Sequence, residues 1–294
     1  MKASQMVKGY IFAIISAVIY GCMPLMAKHI YADGVNALTL VFLRNFLALP
    51  ALAALALVQN KTLKVPLKSI GSIGVISLFG CCVTPVLLFS SYNYIPSGTA
   101  TVFHFIYPSL VVLIGLIFLK KKVQAGTLLS LLLCLGGICL FYKPGSTFHW
   151  GGSALALGSG VTFATYVVLL SVYKNKEISG FLFTFYAALS SSVLMLLACL
   201  FTGSLALPQS ALGWGLCLLF ALGVTTGAVV LFQQGTFIIG GERASILSTL
   251  EPITSLVVGV LFLNETIGIR DYIGAALVVV ASVLIAVFDM KKVS

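Results

Sequence analysis

The chain is a succession of long apolar runs separated by short polar or turn-forming breaks. Ten runs stand out, at Gly9 to Ala27, Asn36 to Val58, Ile70 to Ser90, Ser97 to Leu119, Gln124 to Tyr142, Gly151 to Tyr173, Phe181 to Thr202, Ala211 to Gln233, Gly241 to Leu263 and Gly268 to Phe288. Each is close to the roughly 20 residues a helix needs to cross about 30 Å of hydrocarbon. The alternation expected of barrel strands is absent, and a backbone in lipid must satisfy its own hydrogen bonds, so the runs predict helices. The expected fold is therefore an all-α integral membrane protein of ten transmembrane helices.

Composition sharpens this. Of 294 residues, 60% are hydrophobic and 8% charged, with a mean hydropathy of +1.13. A soluble domain carries about 25% charged residues, and disordered chains are polar, so both classes are excluded. The net charge of +10 would suit nucleic acid only if the basic residues formed one solvated face; here they punctuate apolar runs. Lysines and arginines crowd the connections on one side, among them Lys8, Lys61, Lys64, Lys68, Lys120 to Lys122, Lys174, Lys176 and Arg243. The other side receives only Lys28, Lys143 and Arg270. Cytoplasmic loops retain positive charge, which puts both termini in the cytoplasm of a multi-pass cell-membrane protein. The first run is too long for a cleaved signal and reads as a retained span. The cysteines lie within apolar runs as small hydrophobes, and no metal-ligand spacing occurs.

Shifting the chain by half its length brings Ser97 to Leu119 onto Gly241 to Leu263, with Ala100 on Ala244, Pro108 on Pro252, Gly115 on Gly259 and Phe118-Leu119 on Phe262-Leu263. Gly9, Ser16 and Val18 likewise meet Gly152, Ser159 and Val161. Residues 1–145 and 146–294 are thus expected to be two copies of one five-helix unit. An odd number of spans turns the second copy over in the bilayer, which is the inverted-repeat plan of many secondary transporters.

The small-residue segment before Glu251-Pro252, then Phe262-Leu263-Asn264-Glu265 and Ile273-Gly274-Ala275-Ala276-Leu277, resembles the pattern of the drug/metabolite transporter superfamily and its EamA-type ten-helix members. Leu43-Arg44 resembles that family's second-helix arginine; Tyr20-Gly21 stands where many members have tryptophan, and Lys120 to Lys122 near the usual glutamate of the first half. The resemblance implies a carrier, with amino acids or related amphipathic metabolites as substrates and export as the direction.

Candidate transport residues follow from cost. Charges within spans are expensive and usually face a cavity or a partner, which singles out Arg44 and Glu251. Arg44 matches a substrate carboxylate through its planar fork, or is a structural arginine bound to helix-end carbonyls. Glu251 suits a substrate amine or proton coupling, or is a packing carboxylate bonded to neighbouring hydroxyls. His104 is the one histidine within a predicted span; substrate binding, proton exchange and simple packing are all open to it. Ser245, Ser248, Pro252, Ser255 and Gly259 share one helix face, matched by Thr101, His104, Pro108, Val111 and Gly115. Pro108, Pro252, Gly115 and Gly259 are expected to be structural, with proline-freed carbonyls and hydroxyls facing a central cavity or with the stripe forming a helix contact. Tyr107, Tyr166 and Ser248 complete the proposed substrate set, while Asn45, Tyr92, Asn93, Tyr186, Gln233 and Gln234 are further polar candidates. Gly223 and Gly227 form a GxxxG suggestive of tight packing.

The leading expectation is a secondary transporter of small polar or amphipathic metabolites working by alternating access; a lipid or lipid-linked sugar flippase of the same superfamily is the alternative. No P-loop, HExxH or GxSxG occurs, so neither an ATP-driven pump nor an enzyme is expected. No cofactor or nucleic acid is expected as a partner; a small molecule, protons and the bilayer are, in a monomer or homodimer.

Overall fold

The computed structural model describes residues 3–95, 97–118, 125–140, 149–173, 178–263 and 268–290. Lys120 to Lys122, Lys143, Lys174, Lys176, Asn264 and Glu265 lie outside them. Its regular structure is helical, with no strand among the described residues. We label the helical segments α1 (Ser4–Ala32), α2 (Ala37–Asn60), α3 (Leu67–Ser91), α4 (Ser97–His104 with Tyr107–Phe118), α5 (Ala125–Leu140), α6 (Trp150–Val172), α7 (Gly180–Phe201), α8 (Ala211–Ile239), α9 (Gly241–Leu247, Ser248–Leu250 and Glu251–Leu263) and α10 (Ile269–Met290). Six of them, α1, α2, α3, α6, α7 and α8, are long and apolar enough to cross a membrane. The runs expected to be continuous fourth and ninth spans are instead broken, and α1 and α8 extend beyond the expected boundaries.

The breaks have a common cause. Proline has no N–H to give the carbonyl four residues back, so helices turn or restart beside it. Pro24 and Pro50 sit in the first turn of the restarted halves of α1 and α2, which resume at Met23 and Leu49. In α4 the helix stops at Phe105-Ile106, just before Pro108; in α9 a short 3-10 stretch, Ser248–Leu250, precedes Pro252. Within α3, a π-helical stretch over Leu78–Val83 runs up to Pro85. A second π-helical stretch, Ala221–Val229, lies inside α8 and has no proline behind it.

Wide π turns leave carbonyls for neighbours to satisfy. Asn45 of α2 donates its amide to the Cys81 carbonyl at 3.4 Å, the carbonyl that Pro85 cannot reach. Ser16 of α1 donates to the Ala228 carbonyl in α8 at 2.8 Å. Both donors are fully buried.

Packing joins the two halves of the chain crosswise. Helix α1 lies along α8 and touches α9, α6 lies along α3 and touches α4, α2 packs on α7, and α5 on α10. A Cβ on Gly9 would fall within 2.6 Å of Ile239, and one on Gly152 within 2.7 Å of Tyr94, so glycine sets both close approaches. Gly223, by contrast, has open space where a Cβ would stand and Gly227 meets only ordinary contacts, so the GxxxG marks part of a π stretch and no close packing within the chain.

At one end of the bundle the α1–α2 connection is tied to the α7–α8 connection. Asp33 accepts from the backbone N–H groups of Gln209 and Ser210 at 2.9 and 3.1 Å. The Thr39 hydroxyl donates to the Ser204 carbonyl at 3.2 Å and accepts from the Ala206 N–H at 3.0 Å. The Ser210 hydroxyl holds the Asp33 carboxyl below the ordinary carboxylate value against the opposing effect of desolvation, with the backbone N–H groups of Ser210 and Gln209 adding to it. A depressed folded value means the stabilisation is present above the unfolded value and fades as pH falls through the folded one. Thermal unfolding in detergent micelles is therefore expected to lose an acid-range component when Asp33→Asn removes the titrating group. An unchanged acid limb in that variant would remove Asp33 from the account.

Candidate functional site

The interrupted helices converge on one cavity lined by Tyr20, Met23, Arg44, Gly80, Thr84, Pro85, Leu88, Phe89, His104, Tyr107, Phe163, Ser248 and Glu251. Five of the six residues expected to bind substrate, Arg44, His104, Tyr107, Ser248 and Glu251, are thus brought together from α2, α4 and α9. His104 and Tyr107 flank the break in α4 as Ser248 and Glu251 flank that in α9, each pair ending one residue before its proline. The cavity measures about 40 Å³. A single water needs roughly 10–15 Å³ on this measure, so it has room for a few waters and none for an amino acid.

Arg44 is 4% exposed, at the last turn before α2 breaks. Its Nε donates to the Thr225 hydroxyl at 3.3 Å, in the π-helical stretch of α8, and its guanidinium lies 6.0 Å from the Phe220 ring centre. Of its five donors, one is engaged by that bond. Glu251 is 8% exposed, and no described side chain hydrogen-bonds its carboxylate. The packing alternative for Glu251, a carboxylate held by neighbouring hydroxyls, has no counterpart among the described residues: Ser248 instead donates to Ala244 and Thr254 to Leu250, both within their own helix.

His104 Nδ1 is 2.8 Å from the Ser159 hydroxyl of α6, and its ring packs against Tyr107 and Phe163. The Tyr107 hydroxyl donates across to the Ser245 carbonyl of α9 at 3.5 Å. Tyr166 lies outside the cavity lining. Its ring sits behind Phe163 and against Gly80, where a Cβ would collide with it, and its hydroxyl accepts from Gln233 at 3.1 Å. Gln233 in turn accepts from Thr184. A residue expected near a helix end is thus fully buried and links α6, α7 and α8.

The proline-freed carbonyls do not open onto water as expected. Pro108 frees the carbonyl of His104, and Gly160 of α6 is packed on it so closely that a Cβ there would lie 2.7 Å away. Pro252 frees the carbonyl of Ser248, which accepts from the Glu251 N–H within the 3-10 stretch, and Gly21 of α1 packs on the Glu251 carbonyl, where a Cβ would lie 2.8 Å away. Pro108, Pro252 and Gly115 are buried in their helices, and Gly259 lies in the last segment of α9. Among the remaining polar candidates, Asn93 is exposed just beyond α3, next to an exposed Tyr94 that stacks on His149, and Tyr186 donates to the Leu63 carbonyl.

Sequence reasoning missed Tyr20 and Phe163 as lining residues. The match of Gly9, Ser16 and Val18 to Gly152, Ser159 and Val161, continued two positions, superimposes them and would have paired the two aromatics.

The EamA-like transporter family matches residues 7–143 and again residues 150–287. The chain belongs to the EamA-like transporter family. The chain is similar to an uncharacterized transporter of Archaeoglobus fulgidus, 29% identical over 93% of this chain and 94% of its own length. Another, of Clostridium kluyveri, is 22% identical over 95% and 93%. The uncharacterized inner membrane transporter YicL of Salmonella typhimurium is 24% identical over 97% of both chains. A crystal structure with 17% identity aligns over the whole of both chains with a TM-score of 0.78, a likeness of fold.

In this EamA-like protein the Gly80 contact is directly testable. Gly80→Ala forces the Tyr166 ring off its bond to Gln233, with an expected loss of about 1–3 kcal/mol. Thermal unfolding of Gly80→Ala, Tyr166→Leu and the double variant checks it: the double variant should be markedly less destabilised than the sum of the singles.

Proposed function

We propose that the protein is a secondary transporter that moves small polar or amphipathic metabolites, amino acids among them, outward across the cell membrane by alternating access. The observation that carries the reading is the shared cavity. Two buried side chains of opposite formal charge, Arg44 and Glu251, line it beside aromatic rings, at the point where α4 and α9 are both broken. Buried charge in a span is costly and is retained where it meets a substrate or an ion. Arg44 keeps donors for a substrate carboxylate, and Glu251 stands ready for an amine or a proton.

Several features support a plan of ten spans in two inverted five-helix units. The family matches the chain twice, in 7–143 and 150–287. Breaks precede Pro108 and Pro252, π-helical stretches interrupt both α3 and α8, and α1 meets α8 and α9 as α6 meets α3 and α4. Units so related exchange conformations, opening one site to each side in turn. Since the cavity holds only a few waters, admitting a metabolite requires the helices that line it to part on one side.

The experiment is uptake of labelled amino acids into proteoliposomes, with and without a pH gradient, against protein-free vesicles. Gradient-stimulated accumulation is expected. Arg44→Lys keeps the charge but loses the bidentate fork and should raise KM about ten-fold. Glu251→Gln should abolish accumulation while leaving exchange of substrate for substrate. If Glu251→Gln and His104→Ala both retain the wild-type pH dependence, proton coupling through these groups is wrong.

A further inference from the structure

The hydrogen bonds around His104 determine which of its ring nitrogens carries the proton. Ser159 has one hydroxyl proton and lies 2.6 Å from the Ala156 carbonyl oxygen. A carbonyl cannot donate, and two oxygens at that distance require a proton between them, so the Ser159 proton goes to Ala156. At His104, 2.8 Å away on its other side, the Ser159 oxygen can then only accept. The neutral imidazole is consequently protonated on Nδ1 and bare on Nε2. No described group hydrogen-bonds Nε2, and the ring lines the cavity.

We propose that Ser159 is a positioning residue that locks His104 with Nδ1 protonated, making Nε2 a hydrogen-bond acceptor of the cavity, so that the site selects ligands carrying an N–H or O–H donor beside an anionic group that faces Arg44. The ligand half of this rests on the transport reading above; the protonation half stands on the hydrogen bonds alone. A ligand of that class satisfies Arg44 and His104 together. An acid whose donor is replaced by a methyl group leaves Nε2 dry and unpaired, at the cost of a buried acceptor.

The other two histidines supply internal standards. His29 Nδ1 lies 2.9 Å from the Leu25 carbonyl and must donate to it, whereas His149 Nδ1 accepts from the Gly152 N–H at 3.1 Å. In full-length protein labelled with 15N-histidine, in nanodiscs at mildly alkaline pH, long-range proton–nitrogen correlations separate the two neutral forms. The His104 signals are assigned by their disappearance in His104→Gln. They should match the form of His29 and differ from that of His149, and in Ser159→Ala they should shift to a mixture. Protonation on Nε2 in the wild type, or no change in Ser159→Ala, overturns the assignment. Should Ser159→Ala fail to fold, the wild-type spectrum decides.

For the ligand half, lactate and isobutyrate are matched probes of equal charge and similar shape, differing in a hydroxyl against a methyl. Ligand-induced thermal stabilisation of the purified protein reads their relative affinity without requiring transport. Lactate should bind about ten-fold more tightly in the wild type, and the preference should vanish in His104→Phe. No difference in the wild type, or one that persists in His104→Phe, overturns the selection. Failure of amino-acid uptake, with this preference intact, counts against the transport reading alone.

Discussion

In an apolar medium a carbonyl released from its own helix has no water to turn to, and the arrangement of this protein follows from that constraint. Pro85 releases the Cys81 carbonyl, and Asn45 must come from α2 to meet it. The π-helical stretch of α8 leaves the Ala228 carbonyl to Ser16 of α1. Pro108 releases the His104 carbonyl, and only a helix with glycine at the contact, α6 at Gly160, approaches closely enough to cover it. Each interruption thus draws a particular neighbour to a particular height, and the space left among the interruptions is the cavity.

The same constraint explains why the cavity is polar on few atoms. Hydroxyls that line it are already committed to protein partners: Ser248 donates back to Ala244, Thr84 pairs with Thr162 of α6, and Tyr107 donates to the Ser245 carbonyl of α9. What faces the open space is aromatic surface with a small number of strong groups, among them an arginine with donors to spare, a carboxylate and a histidine. Specificity in such a site depends on the direction of a few hydrogen bonds rather than on their number.

Much of this was legible in the sequence. Apolar run length gave the helices, and Arg44, Glu251 and His104 stood out because charge and imidazole are rare within such runs. Other parts were hidden for physical reasons. A π-helical stretch has no residue code of its own, and nothing in Ala221–Val229 distinguishes it from a regular turn. Tyr166 was expected among the substrate-binding residues, and it lies outside the cavity lining. Its commitment to Gln233 depends on a contact between helices far apart in the chain, and periodicity is blind to that. Gln233 was underestimated for the same reason. The stripe from Ser245 to Gly259 assumed one continuous helix, and the 3-10 stretch before Pro252 divides it.

The two glycine contacts on the backbones of α4 and α9 have a mechanical consequence. Where side chains interlock, one helix turns on another only by lifting knobs out of holes, and long flexible side chains absorb small displacements. Gly21 and Gly160 instead bring α1 and α6 directly onto the Glu251 and His104 carbonyls, with the Thr254 and Ile106 side chains pressed against the same two glycines. No long side chain stands between to absorb a displacement, so a tilt of either broken helix at its carbonyl is passed directly to the backbone of the neighbour resting on it.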